Sequence, residues 1–240
     1  MSTETPTNKM NPQKHEKWET WMDDIRSQVL HLMDFRRWNA IYEDVVNKNP
    51  ALDPNNRIVY YFRYIYKDYA VLAVRRLVKR DKDSVTLTGL IDDLIENHTM
   101  VTREWTFEMY RRPIPGGFTY DTSMSDHLAG LHWKNHCDAS GQHLDKAPLE
   151  ADLAELEDAT KLLVHISDRE IAHNDKRKAD PQFTRPTYDS LDEAIMLIER
   201  LTKKYTVILA GPGILSMTPV DTTNATSVFR IPWISPDAST

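Results

Sequence analysis

Apolar residues at three- and four-residue steps do most to narrow what this chain can fold into. Trp18, Met22, Ile25, Val29, Leu32 and Phe35 form such a series, one stripe on a helix turning once every ~3.6 residues. The spacing predicts a long first helix from about His15 to Asn47, with residues 1–14 as a flexible arm. Asn49-Pro50 and Asp53-Pro54 stop it, because a residue before proline is pushed out of the helical region. A second helix is predicted from about Asn55 to Arg80. A third starts with Thr86 or Thr88 as N-cap, shows Leu87, Leu90, Ile91, Leu94 and Ile95, and extends toward Arg111. The run Arg112-Pro113-Ile114-Pro115-Gly116-Gly117 ends it.

Residues 112–148 are predicted to be an irregular insertion with one short helix over Ser125–His136. A fourth helix should run from Pro148 or Leu149 to about His173. Its acidic start, Glu150 to Asp158, and basic end, Arg169, His173 and Lys176, suit the helix dipole. A fifth spans about Ser190 to Leu209, with Leu191, Ala194, Ile195, Ile198, Leu201 and Tyr205 as its stripe, and Gly211-Pro212-Gly213 closes it. Residues 211–240 carry proline and threonine and should form an extended C-terminal tail. No stretch shows sustained strand alternation, so the expected fold is an all-α helical bundle of about five main helices.

Glycine supports this, at 7 of 240 residues, roughly 3% against a usual ~7%. Glycine-lined phosphate loops and turn-rich β sandwiches are poor fits. No run approaches the ~20 apolar residues that cross a bilayer, and the N-terminus lacks a signal-peptide core. One cysteine, Cys137, excludes an intrachain disulfide framework. A cytoplasmic chain without membrane contact is the expectation. The net charge of −6 gives no global nucleic-acid signature, so any such surface must be local.

The most informative run is Ser167-Asp168-Arg169-Glu170-Ile171-Ala172-His173-Asn174-Asp175-Lys176. Arg169 and His173 are four apart and share a helix face. Histidine moves a proton near neutral pH, and arginine holds a phosphate. Such a pair suits RNA cleavage in which the ribose hydroxyl attacks the adjacent phosphate. Basic residues in a last helical turn are also what the dipole favours, with Asn174 ending the helix.

Asp168 to Asp175 resembles the R-D-K-x-I-A-H-x-D signature of HEPN-type helical domains, particularly the AbiU-type abortive-infection group. Ala73 to Leu87 is similar to that group's second-helix ending, followed by D-x-x-S-(I/V)-S-L. Pro186-Thr187-Tyr188-Asp189-Ser190-Leu191 is similar to the opening of its last helix. The resemblance spans roughly residues 20–210 and implies a HEPN-like antiparallel bundle over 15–210. It also implies homodimerisation, RNA as a partner, and action in anti-phage or toxin–antitoxin systems beside a neutralising or defence-system partner protein. It implies metal-independent cleavage without a cofactor. His173 would be the acid or base, Arg169 the phosphate holder, and Asn174 and Asp175 the orienting groups.

The active HEPN pattern puts four to six residues between arginine and histidine. Here those positions are Asp168, Ser167 and Ile166, the family arginine aligning with Ser167, whereas Arg169 leaves three. Either Arg169 or an arginine from another helix takes its place, or the domain is a non-catalytic dimerisation or partner-binding module. Arg75 and Arg76 are the candidates, one or the other expected to face His173 across the bundle or the dimer. Arg75, Arg76, Lys79, Arg80, Lys176 and Arg177 are the expected RNA-binding residues. From Arg57 to Arg80 there are seven basic residues and one acidic, Asp68, interleaved with Tyr60, Tyr61, Phe62, Tyr64, Tyr66 and Tyr69. Bases stack on such rings, but six aromatics on one helix are more than one ligand uses. Placing the rings in the core with the basic residues on the solvated face is the stronger reading.

His127, His132, His136, Cys137 and His143 crowd a short stretch. His132 and His136 have zinc-ligand spacing, but structural zinc usually brings paired cysteines, and no metal site is assigned. Asp23-Asp24 and Asp92-Asp93 diverge by about 100° on a helix and are read as solvated surface. Phe229-Arg230-Ile231-Pro232-Trp233-Ile234 is read as a core-packing segment.

Overall fold

A computed structural model of the chain describes residues 12–49, 55–113, 120–169, 186–211, 217 and 227, with residues 170–171 in backbone only. Seven α-helices are described: α1 Pro12–Lys48, α2 Arg57–Val78, α3 Leu87–Glu96, α4 Arg103–Arg111, α5 Thr122–Lys134, α6 Lys146–Ile166 and α7 Tyr188–Ala210. No strand forms among the described residues, so the fold is all-α as predicted, with more helices than five. None of the described helices is long and apolar enough to cross a membrane.

Six of the seven starts are built by a side chain accepting a free backbone N–H, the role for which short polar residues are favoured. Asn56 caps α2, Thr86 caps α3, Thr102 caps α4, Asp121 caps α5, Asp145 caps α6 and Thr187 caps α7. Helix α7 ends at Gly211, whose φ of 73° is open to glycine at little cost. A Cβ there would also lie 3.2 Å from the Met109 carbonyl oxygen.

The core joins the stripe of α1 to that of α7. Trp18, Ile25, Val29 and Leu32 are fully buried, as are Ala194, Ile195, Ile198, Leu201 and Tyr205. Helix α7 runs through the middle, contacting α1, α2, α4 and α6, and its second half buries Thr202, Thr206, Ile208 and Leu209 as well. A helix apolar on most sides belongs at the centre of a bundle.

Five expectations need correction. Residues 12–14, assigned to the arm, are the first turn of α1: Lys14 donates to Asp93 Oδ1 at 2.7 Å, and Trp18 Nε1 donates to Oδ2 at 2.6 Å. Asp92 and Asp93 are therefore structural acceptors rather than bare surface, since Asp92 takes the Arg80 guanidinium. The third helix does not continue to Arg111. It stops at Asn97, passes through a 3-10 turn at His98–Met100, and restarts on the Thr102 cap. The insertion is also more ordered than expected: after α5 the chain pairs Cys137 with Leu144 and Thr102 with His143, and Trp133 Nε1 donates to the Gly141 carbonyl at 3.0 Å.

The fifth concerns the aromatics of α2. Only Tyr66 enters the core; Tyr60, Tyr61, Phe62, Tyr64 and Tyr69 are exposed. Consecutive helical residues point ~100° apart, so positions 60, 61 and 62 cannot share one buried stripe. The tail segment Phe229 to Ile234 lies outside the described residues, although Met217 is buried in the core.

Candidate functional site

The last turn of α2 is basic because its final exposed carbonyls favour cations, and it faces two other elements. On one side lies α1, which presents Asp24, Ser27 and Gln28. Beyond the helix end lies the connection through Asp81, Ser84 and Val85. With Arg75, Arg76 and Lys79 these residues line a cleft of about 420 Å³, within the ~300–1,000 Å³ range of ligand pockets. Arg76 is exposed there and makes no ion pair among the described residues.

On its other side this turn meets the end of α6. Past Ile166 the helix widens into a π-helical turn, Ser167–Ile171. Such turns add a residue to the helical repeat and recur at functional sites. Asp168 accepts from Arg75 Nε at 2.5 Å and from Lys79 Nζ at 2.7 Å. Burial acts to raise its carboxyl, but the hydrogen bonds from Lys79 and Arg75, with their charges, outweigh burial and hold it below the ordinary carboxylate value. Asp168 is thus an anion at neutral pH, joining the cleft's arginine to the head of the Asp168–Asp175 run.

Ser167 is fully buried, and its hydroxyl has no partner among the described residues. An arginine at this position would have to be accommodated inside the bundle, so of the three family positions Ser167 is the one that packing disfavours. Arg169 is half-buried and makes no ion pair among the described residues. His173, Asn174, Asp175, Lys176 and Arg177 lie outside the described residues, as therefore does the expected facing of Arg75 or Arg76 with His173.

Of the expected RNA-binding residues, Arg75, Arg76 and Lys79 come together. Arg80 does not join them: it is held between Asp92 at 2.6 Å and Glu157, and these hydrogen bonds raise it further above the usual arginine value. Sequence reading missed Asp168 as a partner of Arg75, and Ser27 and Gln28 as cleft walls. The signal for the last two was present, since 24, 27 and 28 form a polar stripe opposite the buried Met22, Ile25 and Val29.

His132 and His136 meet at 4.3 Å with their rings tilted by 51°, and the His136 ring nitrogen meets the His132 carbonyl oxygen at 2.9 Å. Burial, then the neighbouring His136, pushes His132 down to about 4, and both its nitrogens lack partners among the described residues. No group of three or more metal-ligating side chains gathers among those residues.

Compared with known protein families, the chain matches the HEPN_AbiU2 family, described as AbiU2, over residues 15–222. Comparison with curated proteins and with solved structures gives no match.

Proposed function

The chain belongs to the HEPN_AbiU2 family and is an abortive-infection HEPN-type protein, and from that premise we propose that it binds and cleaves RNA where the last turn of α2 meets the Asp168–Asp175 run. One observation carries this reading: Asp168, five positions before His173, is gripped by Arg75 and Lys79. The basic cleft and Asp168, the first residue of the motif, are therefore neighbours. Arg75 takes the place of the arginine that the family spacing would put inside the bundle.

The chemistry follows from the residue types. The ribose 2′-hydroxyl attacks the adjacent phosphorus, a 2′-O–P bond forms, and the P–O5′ bond breaks. The hydroxyl gives up its proton, and the leaving 5′-oxygen takes one. His173 serves as acid or base in that exchange. Arg75, Arg76 and Arg169 offset the charge that accumulates on the phosphate, and Asn174 and Asp175 orient the imidazole. The nucleophile belongs to the RNA itself.

A second reading has its own support. Asp168 already engages both Arg75 and Lys79, and Asp24 and Asp81 add carboxylates to the cleft, as suits a non-catalytic module that holds a partner. Arg76→Glu separates the two. Because Arg76 is exposed and unpaired among the described residues, the variant should keep the wild-type melting temperature. Retention of labelled single-stranded RNA on filters, measured across salt concentrations, should fall about tenfold, with a shallower salt dependence. Unchanged RNA retention would support the partner-binding module.

A further inference from the structure

Tyr66 precedes Arg75 on α2 by roughly 14 Å along the helix axis and marks a second cleft, apart from the basic one. Its side chain is only 6% exposed and packs on Phe35 with ring centroids 5.7 Å apart. A buried tyrosine hydroxyl ordinarily finds a hydrogen-bond partner, yet this one has none among the described residues. Tyr66 instead lines a cleft of about 410 Å³ between α1, α2 and α7, together with Asn39, Tyr188, Asp189, Asp192 and Glu193. Burial, then the Asp192 charge, pushes its phenol up to about 12, so the hydroxyl keeps its proton at neutral pH.

The chemistry of the lining selects the ligand. Asp192 and Glu193 stand three and four positions after Asp189, so all three carboxylates face the same way from α7. Acidic residues near a helix start are favoured by the dipole whether or not anything binds, and it is their partners that set this group apart. Asp192 already holds a guanidinium: Arg36 Nε and Nη2 donate to its two oxygens at 2.5 and 2.8 Å. Asp189 and Glu193 are exposed and make no ion pair among the described residues. No described cation lines this cleft, so with Arg36 matched to Asp192 the other two charges stay uncompensated. The cleft therefore offers two carboxylates, a phenol and the Asn39 amide, beside the Tyr188 ring, which is 51% exposed. Anions are repelled there, and an apolar ligand would desolvate the carboxylates without replacing their hydrogen bonds. An ammonium is a compact, strongly hydrated charge, whereas a guanidinium spreads its N–H donors in a plane and stacks on aromatic faces.

We propose that this cleft binds a guanidinium group from outside the chain, held by Asp189 and Glu193, bonded by the Tyr66 hydroxyl and stacked on Tyr188. The group belongs either to a free guanidino compound or to an arginine side chain of another protein, since the same head group serves both. The site is independent of whether the basic cleft cleaves RNA.

Amide NMR titration of the full chain with methylguanidinium, and with arginine capped at both ends, tests it. Both probes should shift the signals of Asn39 and of residues 188–193, methylguanidinium with a dissociation constant of about 1 mM. Equal affinities identify a free guanidino compound as the source, and capped arginine binding about tenfold tighter identifies a protein side chain. Tyr66→Phe keeps the ring against Phe35 and loses the hydroxyl, and should weaken both probes about tenfold. Asp189→Asn combined with Glu193→Gln should abolish the shifts, while an otherwise unchanged spectrum shows the fold intact. Equal shifts with capped citrulline, the uncharged isostere, would overturn the proposal, as would equal shifts with butylammonium. So would unchanged binding by Tyr66→Phe, or no shift at about tenfold the expected dissociation constant.

Discussion

Arg75→Ala is expected to lower RNA cleavage about 100-fold or more while costing about 1 kcal/mol of stability or less. The two effects separate because the residue has two contacts of different kinds. Its bond to Asp168 is partly solvated, with the side chains 24% and 32% exposed, and solvent-screened ion pairs contribute little to folding. On the proposed reading, its position beside Asp168 lets it offset a phosphate's developing charge, and removing one such donor typically costs about 10²–10³ in rate. Arg75→Lys should keep the pairing but lose the planar fork, leaving an intermediate rate. Asp168→Asn provides the contrast: it releases Arg75 from its carboxylate and should leave cleavage in place. If Arg75 only braces α6, its loss and that of Asp168 should shift the melting temperature alike without touching cleavage. Purified variants assayed on one RNA, with melting curves alongside, separate the cases.

The largest stability effect should come from Asp152→Ala. This carboxylate lies in α6 with its side chain 10% exposed, accepting from Lys204 Nζ at 2.5 Å and from Tyr205 Oη at 2.8 Å. Tyr205 is fully buried at the centre of the bundle, and burial, with the Asp152 charge beside it, drives its phenol well above the usual value. Removing the acceptor leaves a buried hydroxyl unpaired and a largely enclosed ammonium without its counter-charge. Breaking one side of a buried pair costs ~3–5 kcal/mol. Because Lys204 retains some solvent contact, about 3 kcal/mol is expected, or a melting temperature lower by roughly 6–12 °C. Asp152→Asn, which keeps an acceptor for Tyr205, should recover part of the loss. A change below about 1 kcal/mol in denaturant unfolding would show that the network does not brace α6 against α7.

Local signals that compete with nothing were legible in the sequence. The stripes of α1 and α7 repeat every three to four residues, and Thr86 caps the helix whose start it marked. The break after Asn97 was not legible, because the periodicity on either side of it stays apolar. What decides it is the Thr102 cap and the pairing of Thr102 with His143, forty-one positions away. The aromatics of α2 misled for a related reason: composition suggested a core, whereas a helix can turn only one stripe inward. The candidate site shows the same division. The motif and the basic turn could be read from residue types, but their junction at Asp168 spans 93 positions. Likewise, the burial of Ser167 depends on a π-helical turn that no spacing rule announces.

Induced expression of the wild type beside His173→Ala, with growth and RNA integrity scored in the same cultures, tests the central claim most directly. Growth arrest with fragmented RNA is expected in the wild type, and intact RNA with restored growth in the variant at equal levels of folded protein. Equal RNA fragmentation in both, or arrest with intact RNA in both, would contradict it.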